Sequence, residues 1–208
     1  MRFLLNKGAE TESIRPFIPM LLYRAIFNRS NEIVTMLLTL APNVNILDAR
    51  RAALGMAAEQ GLTNIVDKLL KAGANINLKD EYEMTALMYA AREGREMTFV
   101  CGNALQDLSD IELNKIETYQ GNTDTIKLLL DNGANPDEQN KEGQTALMLA
   151  AERGHLATAK VLLASGANIN IKDNNNNTAL MLAARKGHIK MVQLLKNRSH
   201  LVKVSTGM

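Results

Sequence analysis

Three histidines, one cysteine and one asparagine-rich run are the features of this sequence that could do chemistry. His155 and His188 each follow a glycine, Gly154 and Gly187, and each opens an apolar stretch with helical spacing. Their spacing of 33 residues puts them at equivalent places of a repeat. Equivalent places on stacked helices lie about 8–10 Å apart, too far to share one metal ion, so both are expected to hydrogen-bond at helix starts. His200 lies in the C-terminal tail. Cys101 has no histidine or acid near it in sequence to lower its pKa, and so no mark of an activated nucleophile. "DNNNN", residues 173–177, offers oxygen atoms but lacks the spaced acids of a calcium loop. Asparagine adopts turn conformations readily, so the run is expected to be a turn. Every glycine is assigned to a helix end or turn, which leaves no phosphate-binding loop. No catalytic residue, cofactor site or metal site is expected, and the protein is read as not an enzyme.

The histidines recur because a whole phrase recurs. "TALMLAAERGH" (145–155) returns as "TALMLAARKGH" (178–188), and "TALMYAAREGR" (85–95) precedes them. Between the phrases stand "GLTNIVDKLLKAGANIN" (61–77), "GNTDTIKLLLDNGANPD" (121–137) and "GHLATAKVLLASGANIN" (154–170). Gly73 precedes Thr85 by 12 residues, as Gly133 precedes Thr145 and Gly166 precedes Thr178. "TALMLAAER" is a short run of helix formers whose small Ala150 and Ala151 let a neighbouring helix come close. Gly154 suits the left-handed end of that helix. "HLATAKVLLAS" predicts a second helix, with Leu156, Ala159, Leu162 and Leu163 on one face. The polar stretch after Gly166 predicts a loop or hairpin. Neither helix buries its apolar face alone, so units of this kind must stack. Met88, Met148 and Met181 recur with the period and are expected to fill the core.

Period, unit and phrase together resemble the ankyrin repeat family, whose unit is a turn and two helices and whose phrase is T-P-L-H-x-A. Ala146 and Ala179 stand where the family has Pro, and Met148 and Met181 where it has His. The resemblance covers nearly the whole chain and implies an all-α ankyrin-repeat solenoid of stacked helix–turn–helix units. Glu83 and Asn176 stand where Gly143 keeps the family's turn glycine. Asn176 tolerates a left-handed turn and Glu83 does so at a cost, so the loop around Glu83 is expected to be distorted.

The chain then divides as one domain, 1–208. Residues 1–10 match the end of a truncated repeat, 15–47 and 48–79 form repeats, and 140–172 forms another. Residues 173–208 form the C-terminal capping repeat, where Lys196 replaces Leu130 and Leu163 and gives the polar outer face a last unit needs. The remaining unit, 80–139, is irregular, because the phrases at Thr85 and Thr145 are 60 residues apart rather than 33. Residues 95–120 carry five acids (Glu96, Asp107, Asp110, Glu112, Glu117) against Arg95 and Lys115. Two readings fit: an insertion between the two helices of one repeat, or two shortened degenerate repeats. The insertion is preferred, since Gly102 would interrupt a helix.

The net charge of +2 gives no global field for nucleic acid, and no such partner is expected. Seven basic residues from Lys172 onward (Lys172, Arg185, Lys186, Lys190, Lys196, Arg198, Lys203) face one acid, Asp173. A lone cysteine fits a reducing, cytoplasmic compartment. Delivery into a host cell by a route without an N-terminal signal is also compatible. No run of about 20 apolar residues is present to span a bilayer. The resemblance implies a non-catalytic, monomeric scaffold that binds a protein on its concave surface. By position, the binding residues it implies are Arg51, Glu59, Gln60, Glu81, Tyr82, Met84, Arg92, Glu93, Lys141, Glu142, Gln144, Glu152, Arg153, Asn174, Asn175, Asn177, Arg185 and Lys186. Two alternatives are carried: a targeting or regulatory segment of a larger enzyme or secreted bacterial effector, and an anion-binding module using the basic C-terminal end.

Overall fold

The computed structural model describes residues 15–40, 44–45, 47–48, 51–93 and 122–205. The truncated repeat at 1–10, the segment at 95–120, Cys101 and the side chains of Arg51 and His200 fall outside the described residues. Among the described residues, ten α-helices follow one another in pairs: α1 Ile18–Phe27 and α2 Asn31–Leu40, α3 Ala53–Glu59 and α4 Thr63–Lys71, α5 Ala86–Arg92 and α6 Asn122–Asp131, α7 Ala146–Arg153 and α8 Leu156–Ala164, α9 Ala179–Arg185 and α10 Ile189–Ser205. A two-residue antiparallel pair, Leu47–Asp48 with Arg51–Ala52, precedes α3.

The recurring phrase encodes the start and packing of the first helix in each pair. Thr85, Thr145 and Thr178 sit in extended backbone just before α5, α7 and α9, and each hydroxyl accepts the amide three residues on, at Met88, Met148 and Met181. A cap of this kind stabilises by about 1 kcal/mol. In α3 the position is Ala52, which makes no side-chain cap. The alanine pairs then vanish into the stack: Ala57, Ala58, Ala90, Ala91, Ala150 and Ala151 are fully buried.

The helices form two layers. The first helices stack as α1, α3, α5, α7 and α9 in order, and the second helices as α2, α4, α6, α8 and α10. α6 packs on α5 as α8 packs on α7. The core is one continuous cluster running from Leu22 to Leu195. Burying a large aliphatic side chain stabilises by about 1.5–3 kcal/mol, and Leu37, Leu69, Leu129 and Leu162 each supply one to the second layer.

Three expectations are corrected. Met88 and Met148 are 1% exposed, but Met181 is 53% exposed: no described helix stacks beyond α9, so Met181 fills no core. Gly55 lies inside α3 rather than at a helix end or turn. A Cβ there would come within 3.2 Å of the Tyr89 ring, so the missing side chain makes room for an aromatic of the next repeat. The loop at Glu83 is not distorted. Glu83 takes φ 57°, beside 76° at Gly143 and 61° at Asn176, and all three turns close with the same hydrogen bonds.

Candidate protein-binding face

The turns that carry the loop tips are built by one residue each. Asp80, Asn140 and Asp173 are buried. Asp80 Oδ1 accepts the amides of Tyr82 and Met84, both at 2.9 Å. Asn140 Oδ1 accepts those of Glu142 and Gln144, and Asp173 Oδ1 those of Asn175 and Asn177. Asp80 also accepts the Tyr89 hydroxyl on Oδ2, which ties the Glu83 turn to α5. Successive tips are joined by backbone bonds, Lys141 N to Tyr82 O at 3.1 Å and Asn174 N to Glu142 O at 3.0 Å. "DNNNN" is thus a turn, as expected. Burial pushes the Asp173 carboxyl up, but the Asn177 amides, the Asn175 amide and the Arg185 charge outweigh it and hold its pKa below the usual value.

The asparagines of "GAN.N" are scaffolding as well. Asn77 Oδ1 accepts Asn135 N at 3.0 Å and Asp137 Oδ1 accepts Asn168 N at 2.8 Å, each bond crossing from one repeat to the next. Lys79 and Glu138 add an ion pair of 2.8 Å along the same row, and that lysine, together with Asn135, holds Glu138 below the ordinary carboxylate range against a smaller effect of burial.

The histidines do not cap their own helices, which corrects that expectation. His155 makes no cap bond. Its Nε2 donates to the carbonyl of Arg92 at 3.2 Å, and His188 Nε2 donates to that of Glu152 at 3.0 Å. Asn122, in the equivalent position of α6, donates to Ala90 O at 3.1 Å. The two rings close the last carbonyls of the preceding first helix, where four acceptors lack an intrahelical donor. Gly154 must be a glycine twice over: φ is 77°, and a Cβ would lie 2.7 Å from the His188 ring.

With these groups committed to the scaffold, an inner face remains, made of the loop tips and the ends of the first helices. Glu81, Tyr82, Lys141, Glu142, Arg153, Asn174, Asn175, Arg185 and Lys186 are exposed on it. Glu59, Gln60, Arg92, Glu93, Gln144, Glu152 and Asn177 are half-buried. Met84 is a correction: at 5% exposure it lies beneath the next turn, its sulfur accepting the Asn140 amide at 3.5 Å. Asn177 turns inward too, donating to both Asp173 oxygens. Arg92 bonds Glu59 at 2.7 Å and lies 5.0 Å from the Tyr89 ring centroid. Glu152 sits 3.7 Å from Arg185 and 3.6 Å from Lys186. A groove of about 390 Å³ opens between the α5 and α7 repeats, with Tyr82, Arg92, Glu142, Leu149 and Arg153 on its walls.

Two exposed residues lie outside the expected binding set. Glu83 stands at a tip beside Tyr82, and Phe27, 65% exposed, closes α1. Phe27 precedes Glu59 by the same 32 residues that separate Ile33 from Ile65, and that offset was the available signal. Among the described residues, no group of three or more His, Cys, Asp or Glu could hold a metal ion. No described helix is long and apolar enough to cross a membrane.

The comparisons with known proteins agree with this architecture. A family model described as Ankyrin repeats (3 copies) matches residues 21–100 and 116–205. Ankyrin repeat and SOCS box protein 3 is similar to the chain in two species. The human protein is 34% identical over 178 residues, 75% of this chain and 32% of that protein. The bovine protein is 32% identical over 174 residues, 73% of this chain and 31% of that protein. An L-asparaginase of Dirofilaria immitis is 29% identical over 142 residues, 64% of this chain and 24% of its own length. The chain thus spans about a third or less of these relatives. Its capped helix pairs, its continuous two-layer core and the extent of the family match make it an ankyrin repeat protein.

Proposed function

We propose that the protein is a non-catalytic scaffold that holds a protein partner on the inner face. One observation carries this reading: the polar groups the repeat needs are spent on turns, caps and bonds between repeats, while a separate set from three successive repeats stays exposed on one side. The side chains of Tyr82, Glu142 and Arg153 border the groove, and only the backbones of Tyr82 and Glu142 serve those bonds. Repeat arrays offer extended surfaces of this kind to other macromolecules.

The test is capture of a partner by the immobilised chain, compared with a Tyr82→Ala/Arg153→Glu variant and with Lys160→Glu on the opposite layer. Loss of one captured protein in the first variant, with retention in the second at unchanged melting temperature, supports the reading. Equal capture by all three overturns it.

Two further readings have their own support. The span of a third or less of larger relatives, an L-asparaginase among them, favours a targeting or regulatory segment of a larger protein. The exposed Lys172, Arg185, Lys186, Lys190, Lys196 and Arg198 favour an anion-binding end. Binding that collapses between low and physiological salt marks the latter.

A further inference from the structure

The charged side chains of the inner face, exposed and half-buried together, are not evenly mixed. On the α5 repeat, exposed Glu81 and Glu83 and half-buried Glu93 stand against half-buried Arg92, which is paired with both Glu93 and Glu59. On the α7 repeat, Lys141 and Arg153 balance Glu142 and Glu152. On the α9 repeat, Arg185 and Lys186 have no exposed carboxylate of their own, because the tip is Asn174, Asn175 and Asn176 and Asp173 is buried. Net charge therefore rises from −2 through 0 to +2 over three successive repeats.

The scale of this ramp decides what it recognises. Adjacent repeats are about 8–10 Å apart, so the ends of the ramp are separated by about 20 Å. The Debye length is about 8 Å at physiological ionic strength, so each end acts on a different part of a bound segment. An extended chain advances about 3.3 Å per residue, so residues matching the two ends lie about six apart. Between the ends lies the groove, with Tyr82, 48% exposed, on its wall and Leu149, 6% exposed, adding little apolar surface.

We propose that the inner face binds an extended protein segment of fixed charge polarity. Its basic residues lie over the α5 repeat, an apolar side chain enters the groove, and its acidic residues lie over the α9 repeat. This rests on the reading of the inner face as a protein-binding surface and names the chemistry of the partner. The ramp also explains why the anionic reading looks partly right: Arg185 and Lys186 are one end of a two-ended site.

The experiment uses the full chain and two synthetic peptides of equal composition. One carries a lysine pair and a glutamate pair about six residues apart around a central leucine; in the other, lysine and glutamate alternate. At low salt the block peptide should bind at least about tenfold more tightly, and added salt should shrink the difference. Glu81→Lys/Glu83→Lys and Arg185→Glu/Lys186→Glu should each abolish the preference. Combining all four substitutions inverts the ramp, and the block peptide, turned end for end, should regain its preference. A merely destabilised variant would not recover, and a thermal melt of each variant checks the fold. Equal binding of the two peptides, or no recovery in the fourfold variant, overturns the polarity proposal and leaves the inner face as a binding surface. Binding of neither peptide sinks both.

Discussion

Asp173 and Asn140 do the same work with different chemistry, and that difference predicts a pH response. Each accepts two backbone amides through Oδ1, but only Asp173 titrates. Its pKa is lowered in the folded protein, while an unfolded aspartate titrates near 3.9. Its contribution to stability is therefore full above about pH 4 and is lost as pH falls through the folded value. Asp173→Asn keeps an acceptor for both amides, as Asn140 shows. The variant should lose less stability between about pH 4 and pH 2 than the parent, read by denaturant unfolding at each pH; parallel curves would show that Asp173 is not a source of the acid response. Glu83 gives a second prediction. Its φ of 57° costs roughly 1–2 kcal/mol for a residue with a Cβ, whereas glycine adds about 0.4–1 kcal/mol of unfolded-state entropy. Glu83→Gly should raise stability by about 0.5–1 kcal/mol, and a lowered melting temperature would contradict it. These details were unevenly legible. The left-handed demand at Glu83 could be read from its alignment with Gly143. The histidine bonds could not, because their acceptors, Arg92 and Glu152, lie 63 and 36 residues away. Nor could Gly55, whose partner is the Tyr89 ring of the next repeat.

At the scale of helices, one position changes character along the array. Leu130 is half-buried, Leu163 is 7% exposed and Lys196 is exposed. Leu163 on α8 has α10 beside it, and no described helix stands beyond α10. Leu163→Lys removes a buried side chain, at about 2–5 kcal/mol, and forces an ammonium group into the same place. Lys196→Leu changes a side chain in contact with solvent and should alter stability by about 0.5 kcal/mol or less. Chemical denaturation of the two variants compares them directly, and equal losses would deny Lys196 its role at the end of the stack. Period and phrase were enough to place the helices, because Thr caps, alanine pairs and glycine ends follow local rules. They failed at Met181 because burial there depends on a further neighbour, and no described helix stacks beyond α9.

The whole array bears on how residues 95–120 relate to the repeat that surrounds them. α5 and α6 pack on each other, α5 lies between α3 and α7, and α6 lies between α4 and α8. Tyr89 and Met88 of α5, and Ile126 and Leu129 of α6, are buried at 2% exposure or less. Asn122 joins its helix to the carbonyl of Ala90, the same kind of bond between layers that the histidines make further on. The described helices thus stack in unbroken order through α5 and α6, and we read residues 95–120 as an insertion between the two. If 95–120 is an insertion, deleting 95–121 so that Gly94 meets Asn122 restores the 33-residue spacing. Shortening a loop lowers its closure cost by only about 0.6 kcal/mol per halving, so the melting temperature should stay level or rise slightly. If the segment instead supplies helices to the stack, its removal strips burial from both neighbours, because coupling in such arrays runs between adjacent units. The transition would then fall by more than about 10 °C, the effect of roughly 3 kcal/mol on a chain of this size, or lose its cooperativity. A level transition with intact binding of the block peptide would place the recognition surface wholly on the regular repeats. A level transition with binding lost would assign the acidic segment a part in recognition.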